Sequence, residues 1–493
     1  HQKVHSTPMP PAGPLPPEPY QPPHPPDIKG WCPGALQPMP SGDGLVVRVR
    51  PPLGRLTLRQ AGRLARLART HASGVLELSS RANVQLRGVS EARHAGVLRA
   101  LAGCGLLDAD VQRERRRNLV VDPLHRVGDG VTELAQALWQ ALAAPDDTLD
   151  ALPAKFGWSI DGGHGTGLRT VSADIRFQRV PPHAGGSDAP TAWRVQPDGL
   201  PWALTAPDTA TAVAAGMALA RWFALRCQQQ KQQQKGGAGR RPGRLAACAP
   251  EMARLVAEGS CGGGAAAAAP CWPPGLPPEA GWHAMDRPTP SMPEATAPPP
   301  GPVPGVGWLA GAPLGRLQAQ ALARLVRALQ AAAPPADEHG HGLRVTPWRM
   351  LLIEQPTTPA VDRGHGEASQ PAQLPAEAGL NHTEDWITQA ADARLRVSAC
   401  TGAPGCPQAL APTQALALAL APHVPSGAHL HVSGCAKGCA RQAPATVTLR
   451  AESSPCGSLF AVVRDGSANG EARERLQAAA VQDNPGLLFE NQN

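Results

Sequence analysis

The chain has 493 residues, with 52 glycines and 56 prolines but only 3% aromatic residues. That length is too great for one hydrophobic core and suits two to four domains, and the Gly and Pro content marks part of it as linker. A formal net charge of +7 favours acidic partners without separating a nucleic acid from a small polycarboxylate. No apolar run is long enough to span a membrane and no basic-then-apolar leader is present, so no membrane association is expected. With 11 cysteines, an odd number, and no export signal, a reducing cytoplasmic setting follows, where clustered cysteines more often hold metal than form disulfides.

In chain order, residues 1–29 read as a proline-rich, disordered tail. "DGLVVRVR" (43–50) alternates, placing Arg48 and Arg50 on one strand face and Val47 and Val49 on the other. "PPLGRLTLRQAGRLARLART" (51–70) turns into an amphipathic helical pattern, followed by the extended "GVLELSSRANVQLRGV" (74–89). In that second run Asn83, Gln85 and Arg87 share one face and Val84 and Leu86 the other. "RERRRNLVVDP" (113–123) and "LPAKFGW" (152–158) add Arg115, Arg116, Arg117, Asn118 and Lys155. Guanidinium groups suit bidentate carboxylate binding, although arginines in such numbers also make solvated faces. Residues 227–305 are dominated by low-complexity segments such as "CQQQKQQQKGG" and "CGGGAAAAAP", expected to form a largely disordered linker. "EMARLVAEG" (251–259) could hold a short helix within it.

Beyond the linker the pattern returns. "APLGRLQAQALARLVRALQA" (312–331) repeats the PLGRL turn and its arginine-dotted helix, and "HGLRVTPWRMLLIEQ" (341–355) repeats the extended run. The same order of elements twice predicts a duplicated α+β module, paired about a pseudo-two-fold axis.

Cys400 and Cys406 form C-x5-C, and Cys435 and Cys439 form C-x3-C. Four thiolates satisfy a [4Fe–4S] cube, one per iron. Zinc also accepts four, but its knuckles are usually C-x2-C or C-x4-C. Two unrelated buried pairs are the plain alternative. Gly402, Gly405, Gly434 and Gly438 allow close backbone bends around a bulky core. His429 and His431 share a strand face and read more simply as satisfied strand histidines than as ligands. Cys227, Cys248, Cys261 and Cys271 lack ligand-like spacing.

With those cysteines in place, the chain resembles the sulfite/nitrite reductase superfamily. Within it, "KGWCPGALQPMPSGDGLVVRVRPPLGRL", "LELSSRANVQLRG", "RRRNLVVDPL" and "SGCAKGCA" resemble the precorrin-3B synthase family in the right order. The resemblance covers roughly 30–225 and 306–480. It implies an α+β fold of two ferredoxin-like half-domains (30–110 and 306–385) and two reductase-type α/β domains about a pseudo-two-fold. The first of these (111–226) lacks cluster cysteines and the second (386–482) holds a [4Fe–4S] cluster on Cys400, Cys406, Cys435 and Cys439. Residues 483–493 are left as a tail.

By the same resemblance Arg50, Arg81, Arg87, Arg117 and Lys155 face a tetrapyrrole or its anionic ligand, with Gln85 and Asn118 as further contacts, and their head groups are expected to line one cleft. The implied activity is an O2-dependent monooxygenase that hydroxylates precorrin-3A at C20 with γ-lactone formation, in aerobic cobalamin biosynthesis. A mononuclear non-haem iron is implied too, without ligands that can be named, and an electron donor such as an NADH-linked reductase or a ferredoxin. No catalytic residue stands out and no nucleic-acid partner is expected. The other readings are a non-catalytic tetrapyrrole-binding or cluster-carrying protein, and a sirohaem-dependent sulfite or nitrite reductase. Against it, Ala82 and Gly157 stand where the reductases carry Gln and a second lysine, and Lys437 stands where they commonly carry Asn.

Overall fold

The computed structural model describes residues 32–164, 168–181, 191–233, 243–259, 272–285, 297–332, 342–355, 379–455 and 457–489. The tail over 1–29 lies outside the described residues. The first unit runs β1 (Met39–Ser41), β2 (Gly44–Val49), β3 (Arg55–Thr57), α1 (Leu58–His71), β4 (Val75–Leu78), β5 (Val84–Val89) and α2 (Glu91–Ala102). An α/β domain follows: α3 (Val111–Arg116), β6 (Leu119–Val121), α4 (Val131–Ala143), β7 (Trp158–Asp161), β8 (Ile175–Arg179), β9 (Trp193–Pro197), β10 (Trp202–Ala206), α5 (Thr209–Gln233), α6 (Ala249–Gly259) and β11 (Gly281–Ala284). The second half begins with β12 (Gly301–Val303), β13 (Gly307–Gly311), β14 (Arg316–Gln318), α7 (Ala319–Ala332), β15 (Gly342–Val345) and β16 (Met350–Glu354). It ends with β17 (Val397–Ala399), α8 (Gln414–Leu420), β18 (Leu430–Ser433), β19 (Ala445–Glu452), β20 (Leu459–Gly466), β21 (Glu474–Gln477) and α9 (Ala478–Asp483).

The two ferredoxin-like halves exchange a strand. One sheet has the order β1-β2-β5-β4-β14 and the other β12-β13-β16-β15-β3. Each half therefore lends its short strand to the sheet of the other, with Leu317 opposite Leu76 and Leu56 opposite Leu343. The exchange begins at the PLG turns. Leu53 and Leu314 both take left-handed backbone angles, φ +54° and +55°, each followed by a glycine at φ +73° or +75°. A leucine there is strained by about 1–2 kcal/mol. What holds it is packing: Leu53 sits against the core of the first α/β domain and Leu314 against that of the second.

After the turn, Thr57 caps α1, its hydroxyl accepting from Gln60 N while the Gln60 side chain accepts from Thr57 N. Leu58, Ala61, Leu64, Ala65 and Ala68 of α1 and Leu322, Leu325, Val326 and Leu329 of α7 are buried in one core shared by both halves. The helical spacing of apolar residues in both copies is what turns these faces inward.

The two α/β domains also match. In one, β6, β7 and β8 are parallel and β9 to β11 continue antiparallel; in the other, β17, β18 and β19 are parallel and β20 and β21 continue antiparallel. Parallel strand ends open towards the loops that carry sites.

Two expectations need correction. The stretch expected as a disordered linker contains the end of α5, α6 and β11, and β11 pairs with β10. Trp272 stacks on Trp282 at 5.5 Å and meets Trp222 edge-on at 5.0 Å, so buried indole surface orders a segment whose composition argues for disorder. The stretch from 483 likewise includes Leu488, fully buried in the last domain's core.

Candidate functional site

Cys400 follows β17 and Cys435 follows β18, so the parallel strands deliver both to one end of the sheet. Gly434 N donates to Cys400 Sγ at 3.1 Å, and such hydrogen bonds favour thiolate ligands. Gly402 has φ +70° and a side chain there would strike Thr413, whose hydroxyl donates to the Cys400 carbonyl at 2.7 Å. Burial raises the Cys435 pKa, with Cys400 and Cys406 adding to the rise. Cys439 is accessible to solvent yet walled by protein, which pushes its thiol up to about 11; Lys437 opposes this and the other three cysteines add to it. Cys400 and Cys406 thus lie close enough to Cys435 and Cys439 to act on them. Among the described residues no group of three or more His, Cys, Asp or Glu side chains is arranged to hold a single metal ion. A cube presents a separate iron to each thiolate, and four soft donors with an N–H-bonded sulfur fit that demand.

The loop bearing Cys406 is tied to the first half. The Gly405 carbonyl accepts from Ser41 Oγ (2.6 Å), Arg87 Nη2 (2.9 Å) and Gly42 N (3.1 Å). Gly42 approaches so closely that a Cβ would lie 2.2 Å from Pro404 O. Arg87 also pairs with Asp43 at 3.0 Å. Its head group, expected to line one cleft with Arg50 and Arg81, is taken up in fixing the cysteine loop.

Next to that anchor runs a polar row across the first sheet. Arg48 lies opposite Gln85, Gln85 opposite Glu77, and Glu77 opposite Arg316. Arg48 donates to Gln85 Oε1 from Nε (3.1 Å) and Nη2 (2.8 Å), and it hydrogen-bonds Cys32. Burial, and then Arg50, brings the Arg48 pKa down to about 10. Burial also lowers Arg81. Among the described residues neither Arg48 nor Arg81 has a carboxylate at ion-pair distance. Arg50, 7% exposed, pairs through Nη1 with Glu114 at 3.3 Å, while its Nε has no hydrogen-bond partner. Asn83 Nδ2 nearby is equally unpartnered. Buried donors without acceptors call for one from outside the chain.

The expected cleft residues divide. Arg50, Arg81 and Gln85 come together with Arg48. Lys155 is exposed, and its carbonyl accepts Arg81 Nη1 at 3.1 Å. Arg117 is engaged elsewhere, paired with Asp108 and stacked on Trp139 at 4.3 Å. Asn118 is buried beneath the Lys155 stretch, its Nδ2 donating to Phe156 O at 3.1 Å, and serves as a brace. Sequence reasoning missed Cys32 and Arg244 as neighbours of this group. Arg48 was legible, since it alternates with Arg50.

In the first α/β domain the place of Cys400 is taken by Asp122. Asp122 N donates to Ile160 O as Cys400 N does to Val432 O, and Gly162 N donates to Asp122 Oδ2 at 3.1 Å as Gly434 N does to the cysteine sulfur.

Residues 37–104 match the nitrite/sulfite reductase ferredoxin-like half domain. The chain is 28% identical over 460 residues to precorrin-3B synthase from Sinorhizobium sp, covering 90% of this chain and 84% of that protein. Its fold is that of the NirA protein of Mycobacterium tuberculosis, with a TM-score of 0.56 at 18% identity, covering 89% of this chain and 79% of that one. Residues 37–104 thus resemble the nitrite/sulfite reductase ferredoxin-like half domain, the fold is like that of NirA, and the sequence is similar over most of its length to precorrin-3B synthase.

Proposed function

We propose that the chain is an oxygenase of the precorrin-3B synthase kind, acting on precorrin-3A with hydroxylation at C20 and closure of a γ-lactone. The observation that carries this reading is the basic face of the first half. Among the described residues Arg48 and Arg81 lack carboxylate partners, and buried donors of Arg50 and Asn83 stand open on the sheet whose other end anchors the cysteine loop. A tetrapyrrole with acetate and propionate arms supplies the missing acceptors, each charge-assisted hydrogen bond contributing about 1.5–3 kcal/mol. Cys400, Cys406, Cys435 and Cys439 would hold a [4Fe–4S] cluster, which supplies single electrons suited to dioxygen chemistry. Gln85 orients Arg48, and Ser41, Gly42 and Arg87 hold the cysteine loop against the first half.

Against the sirohaem-reductase reading stands Gly157. A Cβ there would lie 3.1 Å from Asn118 Nδ2 and 3.3 Å from Ser172 O, which leaves little room for the second lysine of the reductases. The test is anaerobic purification followed by exposure to precorrin-3A and O2 with NADH and a ferredoxin reductase, which supply the two electrons that reduce the second oxygen atom to water. Cluster absorption without sirohaem bands, and a product heavier by one oxygen, support the oxygenase. Bound sirohaem with sulfite or nitrite turnover overturns it. Replacing any one of the four cysteines with serine should remove most cluster iron; undiminished iron would exclude these residues as ligands.

A further inference from the structure

Arg244 belongs to the stretch between the halves, where composition offers no hint of a site, yet it ends beside the basic cleft. Its Nε donates to Asp174 Oδ1 at 2.9 Å, and the same oxygen accepts from Leu245 N at 2.8 Å. Asp174 Oδ2 accepts from Gly157 N at 2.9 Å. One fully buried carboxylate therefore fixes both the segment carrying Arg244 and the turn that carries Lys155.

On its other edge Arg244 donates through Nη1 to Ser172 Oγ. Arg81 Nη2 reaches the same hydroxyl at 3.4 Å. Two guanidinium groups thus converge on one neutral oxygen, where like charges repel. Asp174 lies on the far edge of Arg244, and Arg81 has no carboxylate partner among the described residues. Arg50, nine-tenths buried with its Nε unpartnered, and the unpartnered Asn83 Nδ2 belong to the same basic group. Such an arrangement is completed by an anion placed between the forks.

We propose that Arg244 is a substrate-binding residue that closes with Arg81 on one carboxylate of a polycarboxylate tetrapyrrole, a role resting on the tetrapyrrole reading above. The segment between the halves then contributes to specificity, and Ser172 spaces the two forks. Asp174 acts as a positioning residue, through Arg244 and Gly157.

The experiment is a fluorescence titration of the full-length, cluster-loaded protein with uroporphyrin III, an octacarboxylate. Arg244→Gln should weaken binding about tenfold, the equivalent of one charge-assisted contact. It should also make the affinity less sensitive to salt, with the cluster spectrum unchanged. Arg244→Lys should recover part of the loss, because charge returns without the fork. Arg226→Gln is the structural control: it breaks the Arg226–Glu251 ion pair flanking the same segment and should leave binding as in the parent. Arg244→Gln within twofold of the parent, or an equal loss in Arg226→Gln, would overturn the proposal. If the parent, with its cluster intact, binds no uroporphyrin III, the tetrapyrrole reading itself falls and the role of Arg244 with it.

Discussion

The two ferredoxin-like halves share one backbone plan and treat the same sheet face in opposite ways. In the first half the row holds Arg48, Gln85 and Glu77; at the matching register the second holds Leu309, Leu352 and Arg344. Asn83 corresponds to Met350, and Arg50 to Gly311. Leu309 and Leu352 are fully buried, packed with Val306, Met350 and Leu124 from the first α/β domain. Fully burying each such leucine contributes about 1.5–3 kcal/mol. One face is thus a solid interface, and the other is left polar with unsatisfied donors. Duplication supplied two equivalent faces, and a handful of side chains decided which could take a ligand. The α/β domains repeat the lesson, with Cys400 in one and Asp122 in the other.

The ion pairs differ in the same sense. Glu354 is gripped by Arg344 at 2.7 Å and Arg55 at 2.8 Å; burial opposes ionisation, but bonds from Arg55 and the charge of Arg344 hold its pKa below the usual value. Glu77, between Arg87 at 3.8 Å and Arg316 at 3.9 Å, is held loosely, and burial raises its pKa. The closed half has finished its pairing; the open half has not.

The sharpest test of this contrast exchanges the rows. Leu352→Gln should destabilise the fold by about 2–4 kcal/mol, through lost burial and an unsatisfied amide, whereas Gln85→Leu, which takes from Arg48 a neutral acceptor on the open face, should cost about 1 kcal/mol. Urea unfolding of both variants decides the matter, and equal losses would refute the asymmetry.

The α/β domains can be separated by pH. His431 is fully buried, and burial holds its pKa at about 4, below the ordinary 6.5, despite its bond to Ser398. Folding therefore favours the neutral ring. Its contribution is complete above about pH 6.5 and is lost as pH falls towards 4, by on the order of 3 kcal/mol. The matching residue in the first domain is Ser159, so His431→Ser should remove that part of the acid slope; an unchanged slope would assign the loss to other groups.

A smaller effect is expected at the loop anchor. Arg87→Ala removes the charged donor to Gly405, a loss of about 1.5–3 kcal/mol in loop anchoring, and iron release to a chelator should quicken. Smallest in stability terms is Arg48→Leu, which copies Leu309. The melting temperature should hold or rise as repulsion with Arg50 is relieved, while uroporphyrin III affinity falls about tenfold. Unaltered affinity would take Arg48 out of the cleft.

Much was legible from the chain alone because it is local or repetitive. PLGRL written twice announces the duplication, and the conformation of both leucines follows from the same residues around the same turn. Alternation in "DGLVVRVR" put Arg48 and Arg50 on one face, and cysteine spacing singled out the quartet with its glycines. Decisions that depend on distant partners were not legible. Nothing near Arg117 in the sequence says that Asp108 and Trp139 will claim it, nor near Arg87 that Gly405 will. The strand exchange was hidden because β3 and β14 satisfy their hydrogen bonds in the opposite half. Composition misjudged the middle of the chain, where Trp272 and Trp282 gain order by stacking and Arg244 by reaching Asp174. Patterning sets which face a residue takes, because it acts over one or two turns of chain; which charge is left free to bind is set by tertiary contact, because pairing is a competition among groups from about ten to more than three hundred residues apart.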